Sequence, residues 1–326
     1  MTSPLRRRTF AAIIVAAGTA LSGTSFAQAD KPLRVILPVS AGSGVDAIVR
    51  AASPSLTKAL GGQPIVVENL PGAGGITGTQ AIVKAAPDGQ TIGVVSNNHV
   101  VNPSVYPKMP FDAINDITVI SVVGETPFVL VVNPAKVPAK NAKELAAFLK
   151  AKPNTYNYAS SGNGTIIHLA GAMFIDAADA EVRHIPYKGV GPMVTDLIGG
   201  QVELGVVALP AVLGHLKSGA LRAIGVMSKQ RVAALPDLPT IAEQGFPDVD
   251  VAGWFAFVAP AKLPPEQVKR LNAAIVSAFA MPEAKEAMAK QENVIHPSTP
   301  EAGAQFFNTE KDRYARLVKK ADVKVD

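Results

Sequence analysis

The residues of this chain best suited to chemistry sit in four short stretches rich in glycine and hydroxyl groups. The chemistry they suit is anion binding. In the first stretch, "SAGSGVD", Ser40, Ala41, Gly42 and Ser43 follow an apolar run and precede a helical pattern. Small side chains there let backbone N–H groups approach a ligand, and the helix N-terminus adds partial positive charge. Gly42 and Gly44 have G-x-G spacing, Ala47 stands at the third position of a dinucleotide fingerprint, and Glu68 lies within reach as a ribose-binding acid. That match is weak, and the P-loop signature is absent. The stretch is therefore either an anion-binding loop or a tight strand-to-helix turn that holds nothing.

The second stretch, "NLPGAGGITGTQ", holds Gly72, Gly74, Gly75 and Gly78, which suit positive φ or close backbone approach. A flexible connection between packed units reads the same way. In the third, "SSGNGTIIHL", Ser160, Ser161, Gly162, Asn163 and Thr165 form a cup of neutral donors suited to a carboxylate. Asn163 or Thr165 equally fits the commoner role of helix cap. His168 reads as a structural histidine inside that helix. In the fourth, "HIPYKGVGPMVTDL", Tyr187, Lys188 and Gly189 precede a helix start. Lys188 is either an anion partner or a solvated loop lysine. Asp196 accepts hydrogen bonds from loop amides or meets a polar ligand group.

Signatures of catalysis are missing. There is no nucleophile elbow and no H-E-x-x-H, and the five histidines (His99, His168, His184, His215, His296) are scattered without metal-ligand spacing. No cofactor or metal is expected. The absence of Cys closes disulfides, thiol catalysis and acyl-cysteine anchoring.

The elements that must position these loops alternate. Ten short, nearly all-apolar runs read as strands: "LRVILP", "PIVVEN", "TIGVVS", "ITVISVV", "FVLVVN", "TYNYAS", "EVRHIPY", "VELGVVA", "LRAIGVM" and "WFAFVAP". Helical patterns fall at 46–60, 77–85, 142–151, 166–177, 265–279 and 301–320, and a short helix from Pro192 ends at Gly199–Gly200. Alternation of this kind predicts parallel sheets covered by helices on both faces. A strand, a Gly/Ser loop and a helix recur near 36–60 and 156–175, which predicts two lobes with similar loops facing one cleft.

The 326 residues carry a net charge of +5, but residues 1–29 hold Arg6, Arg7 and Arg8 and no acid. Without them 28 basic residues face 26 acidic ones, so a nucleic-acid partner is not expected. Residues 1–29 read as an export signal: a basic start, an apolar middle and a small-x-small site at Ala27–Ala29. Cleavage is expected after Ala29, giving a protein exported by the Sec route. The "RRRTF" run also fits a twin-arginine signal.

Read in order, "PVSAGSGVDAIVR", "VVENLPGAGGITG", "AAPDGQT", "YASSGNGTIIHLA", "IPYKGVGPMVTDLIGGQVE", "LRAIGVMSKQR" and "LPDLPTIAEQG" resemble the Bug family. These are periplasmic solute receptors of tripartite tricarboxylate transporters. The resemblance covers essentially the whole chain after the leader. It implies a two-lobed Venus-flytrap α/β fold of the periplasmic-binding-protein class, each lobe a mainly parallel sheet flanked by helices. Lobe 1 is then 30–127 plus 252–326 and lobe 2 is 128–251. It further implies that Ser40, Ala41, Gly42 and Ser43 grip a small carboxylate opposite Ser160, Ser161, Gly162 and Thr165, with Tyr187, Lys188, Gly189 and Asp196 in the same cleft. Ser43 replaces the second glycine of a pair many relatives carry there. Asn97 and Asn98 are expected to read the far end of the ligand. The implied partners are the membrane subunits of such a transporter or, alternatively, a sensor kinase, and the receptor is expected to be a monomer. An exported hydrolase is the competing class.

Overall fold

A computed structural model describes residues 31–320; the expected signal, 1–29, lies outside the described residues. The chain begins with β1 (Leu33–Leu37), α1 (Gly44–Ala59), β2 (Ile65–Asn69), a 3-10 turn (Ala73–Gly75), α2 (Ile76–Val83), β3 (Thr91–Ser96), α3 (Asn98–Val105) and β4 (Ile117–Thr126). It continues through β5 (Phe128–Val132), α4 (Ala142–Lys150), β6 (Asn157–Ser160), α5 (Ile166–Ala177), β7 (Arg183–Pro186), α6 (Val190–Ile198), β8 (Leu204–Ala208), α7 (Leu209–Lys217) and β9 (Arg222–Val226). It closes with β10 (Gly253–Pro260), α8 (Pro265–Ala280), α9 (Pro282–Lys290), β11 (Val294–Ile295) and α10 (Pro300–Lys320).

Among the described residues the strands form two sheets, ordered β11-β4-β10-β3-β1-β2 and β7-β6-β8-β5-β9. All ten expected strands are present. The sheets are mixed where the alternation predicted mainly parallel ones, and connectivity supplies the reason. The chain leaves the first sheet at Thr126, enters the second at Phe128, and returns at Gly253 directly opposite Thr126. A strand re-entering beside its own exit must run backwards, so β10 is antiparallel to β4 and to β3. For the same reason β9, which carries the chain back, is antiparallel to β5. The parallel strands fall outside this pair of crossings: β2, β1 and β3 in one sheet, β7, β6 and β8 in the other.

Period-2 alternation within β1, β3 and β10 explains the layers. Val35, Leu37, Val94, Phe255 and Phe257 pack on one face with Ile48 and Leu56 of α1 and Leu271, Ile275 and Phe279 of α8. Ile36, Val95, Ala256 and Val258 pack on the other face in a core that includes Phe307 and Tyr314 of α10. Both faces are buried, as the unbroken apolar runs require. Pro265 opens α8 at its first turn as its fixed φ favours. By contrast, α6 starts two residues before Pro192, at Val190; the proline falls in the first turn, where a missing N–H costs nothing.

Register also sets where the loops lie. Ser96, at the C-terminal end of β3, pairs with Phe255 near the crossing, and Ala208, at the end of β8, pairs with Phe128. The C-terminal ends of all six parallel strands therefore point towards the crossings, and the loops that follow them face one another. Ligands of open α/β sheets bind at such strand ends.

Candidate ligand-binding site

Between the facing loops lies a cavity of about 570 Å³. Its wall includes Ser43, Gly75, Thr165 and Gly189, the N-cap residues of α1, α2, α5 and α6. Four helix N-termini thus direct their partial positive charge at one space. The N–H groups of Gly44 and Val45 in α1 and of Ile167 in α5 find no acceptor among the described residues, and all three residues line the cavity. Among the described lining residues Lys188 is the one charged side chain; none is acidic.

The first grip is held by a side-chain brace. Ser43 has extended φ/ψ (−71°, 162°), and its hydroxyl accepts from Asp46 N–H at 3.2 Å, closing the cap of α1. Buried Asp46 accepts from Gly42 N–H (3.1 Å), Arg50 Nε (2.9 Å) and Asn69 Nδ2 (3.0 Å). Asn69 Nδ2 also donates to Val39 O at 3.2 Å. The loop is therefore tied to α1 and to the end of β2. Glu68, the candidate ribose acid, is instead ion-paired with Arg34 at 2.7 Å, which holds its carboxyl below the usual range.

In the second grip, Thr165 caps α5: its hydroxyl accepts from His168 N–H at 3.2 Å and donates to Gly162 O at 2.9 Å. Ser161 Oγ donates to Thr165 Oγ1 at 3.2 Å. Both hydroxyl hydrogens are thus engaged within the loop, leaving lone pairs and backbone N–H groups as the free polar capacity. Tyr187 Oη donates to Asp196 at 2.9 Å; burial and then this carboxylate push the phenol up to about 12. It stays protonated, with its ring on the cavity wall.

The two grips touch across the cavity mouth. Ser40 Oγ accepts from Val190 N–H (3.0 Å) and Gly191 N–H (3.4 Å) at the start of α6. Asn98 Oδ1 accepts from Ile166 N–H at the start of α5 at 2.7 Å. Tyr106 Oη donates to Asn163 O at 3.2 Å. Side chains from the first sheet's loops thus cap helices of the second.

Ten of the expected site residues line this cavity: Ser40, Ser43, Asn97, Asn98, Ser161, Gly162, Thr165, Tyr187, Lys188 and Gly189. Ala41, Gly42, Ser160 and Asp196 do not. Ala41 and Gly42 form the exposed tip of the first turn. Ser160 is fully buried beneath its loop, bonded to Gly162 and His184. Asp196 stands behind Tyr187. Asn97, though on the wall, has its side chain engaged: Nδ2 donates to Ala252 O (3.0 Å) and Tyr314 Oη (2.6 Å), and Oδ1 accepts from Trp254 N–H (2.9 Å). It ties β3 to the returning crossing. Asn98 keeps its Nδ2 without a partner among the described residues.

Sequence reasoning missed Tyr106, Phe128 and Trp254, whose aromatic groups supply much of the apolar wall, and Asp46 and Asn69, which position the first loop. Phe128 and Trp254 were legible only as strand residues, because proximity of the two crossings to the cavity is a tertiary fact. Asn98–Val105, outside the helical patterns expected from the sequence, form α3. No three His, Cys, Asp or Glu among the described residues gather to hold a metal ion, and no described helix is long and apolar enough to cross a membrane.

Two sheets linked by adjacent crossings, with a donor-rich cavity between opposed strand ends, define a periplasmic binding protein. The chain belongs to the TctC family, the tripartite tricarboxylate transporter family receptors, whose profile matches residues 48–323. It is 35% identical to protein BugT of Bordetella pertussis over 314 residues, 96% of each chain. The solved periplasmic binding protein BugD superposes with TM-score 0.86 at 31% identity, over 90% of this chain and 99% of that one. MatC of Rhodopseudomonas palustris, solved with bound malate, superposes with TM-score 0.83 at 26% identity, over 88% of this chain and 98% of that one. The protein is thus a periplasmic solute-binding receptor, and its family is one of receptors rather than enzymes.

Proposed function

We propose that this receptor captures a small carboxylic acid between lobe 1 (30–127 plus 252–326) and lobe 2 (128–251) and delivers it to the membrane subunits of a tripartite tricarboxylate-type transporter. The observation that carries the reading is the set of unpaired N–H groups on Gly44, Val45 and Ile167, contributed by both lobes to one cavity without acidic side chains. An anion entering there supplies the missing acceptors, and hydrogen bonds to a charged oxygen are about twice as strong as neutral ones. Asn98 Nδ2 and Lys188 add donors, and the faces of Tyr106, Phe128 and Trp254 cover the ligand's carbon skeleton. The malate bound by MatC supports the same class of ligand. The crossings at Thr126–Phe128 and Ala252–Gly253 serve as the hinge, and the bonds from Ser40 and Asn98 across the mouth hold the closed state. Ser40, Ser43, Asn98, Ser161, Gly162, Thr165, Tyr187, Lys188 and Gly189 form the contact surface, with Asp196 and Ser160 acting from behind it.

A thermal-shift screen of mono- and dicarboxylates, malate included, tests the reading. Ligand at about 100 times its Kd stabilises the native state by about 2.7 kcal/mol, a shift of several degrees. Trp254 is the single tryptophan and lies on the wall, so the same ligand is expected to change its fluorescence. A panel in which no carboxylate moves either signal overturns the proposal.

A further inference from the structure

Behind the loop 160–165 lie two histidines that the binding site itself does not use. His168 of α5 and His184 of β7 stack ring on ring, with centroids 3.8 Å apart and planes 6° from parallel. Tyr158 of β6 continues the stack at 4.8 Å from His184. Each imidazole touches the loop through a nitrogen. Gly164 N–H donates to His168 Nδ1 at 3.0 Å, and His184 Nε2 lies 2.6 Å from Ser160 Oγ. Ser160 in turn bonds both the N–H and the C=O of Gly162 at 3.1 Å.

We propose that this stacked pair positions the second grip: His168 holds Gly164, and His184, through Ser160, holds Gly162, fixing the loop from which Ser161, Gly162 and Thr165 meet the ligand. The inference rests on the carboxylate reading for what the loop grips, but not for how the loop is held. The donor at Gly164 dictates the protonation state. A backbone N–H can only donate, so Nδ1 of His168 must be the bare acceptor and the ring proton must sit on Nε2. A proton on Nδ1 would set two donors against each other and expel Gly164. A second positive charge on His184, stacked at van der Waals distance, would oppose the first. Tyr158 and the two histidines are the titratable groups of the stack. Burial holds His168 down to about 4, and burial followed by the neighbouring His168 holds His184 down to about 3; no carboxylate contributes to either.

The test separates the anchor from the ligand. Nitrogen-15 NMR of histidine-labelled, ligand-free protein is expected to show His168 as the neutral Nε2–H tautomer at pH 7 and unchanged at pH 5.5. Titration near the ordinary histidine value, or a proton on Nδ1, overturns the inference. His168→Asn places an oxygen where Nδ1 was, whereas His168→Leu removes the acceptor. With malate as the probe in calorimetry, the Asn variant is expected within about threefold of the parent and the Leu variant at least tenfold weaker. Equal affinities for the two variants also overturn it. If the parent ignores malate while the Gly164 amide resonance moves in the Leu variant and not in the Asn variant, the anchor stands and malate is removed as a ligand of this site.

Discussion

At the residue scale, hydroxyl groups here work mainly as caps and braces. Thr165 both caps α5 and ties Gly162, so Thr165→Ala is expected to cost about 1 kcal/mol of stability in urea unfolding, with Thr165→Ser close to neutral. A stability loss as large in Thr165→Ser would place the effect in the methyl group instead. Asn97 shows why residue type alone misleads. An asparagine in a cleft loop looks like a ligand contact, yet each polar atom of its side chain is committed to the crossing or to Tyr314. Asn97→Ala leaves Trp254 N–H buried without a partner, an expected cost of about 1–3 kcal/mol read as a lower urea midpoint.

At the scale of elements, the proposed closure depends on how near two loops and a helix start can come. Gly189 has φ of 110°, and a Cβ there would lie 2.6 Å from Ser40 Oγ across the mouth. Gly189→Ala is therefore expected to hold the lobes apart, raising the radius of gyration in small-angle scattering and weakening ligand binding at least tenfold. Gly219 is the control: its φ is 75°, but a Cβ there meets open space. Gly219→Ala strains the backbone at a cost of about 1 kcal/mol without changing the scattering. If the two variants scatter alike, contact between Ser40 and Gly189 does not set closure.

At the scale of the whole molecule, two buried histidines, His99 and His168, and the half-buried His184 make the fold sensitive to acid. Burial holds His99 and His168 down to about 4, and burial followed by the charge of His168 holds His184 down to about 3, all below the ordinary 6.5. Between those values the unfolded chain binds protons that the native state refuses, so stability rises with pH. The loss begins as the pH falls below about 6.5 and is complete once it has passed the folded values of about 4 and 3. Urea midpoints at pH 7.5 and pH 5 are expected to differ, with the lower at pH 5. Replacing His99, whose Nε2 meets Ala113 O at 2.6 Å and whose ring stacks on Phe111, by Gln should flatten that difference in part.

The sequence alone determined the alternating strands and helices, the strand–loop–helix units at both grips and the family. Each of these is written in local chemistry: apolar periodicity, glycine and hydroxyl clusters, and proline at helix starts. The central strands were legible because doubly buried strands must be apolar throughout, whereas β2 and β7, at the sheet edges, carry exposed positions. Only the tertiary structure decided the antiparallel course of β10 and β5, the engagement of the Asn97 side chain with the returning crossing, the place of Asp196 behind Tyr187, and the recruitment of Trp254 and Phe128 to the cavity wall. Those depend on which chain ends meet across more than a hundred residues. Helix propensity and spacing carry no record of such distances; burial and the pairing of every polar group, acting on the folded chain, settle them.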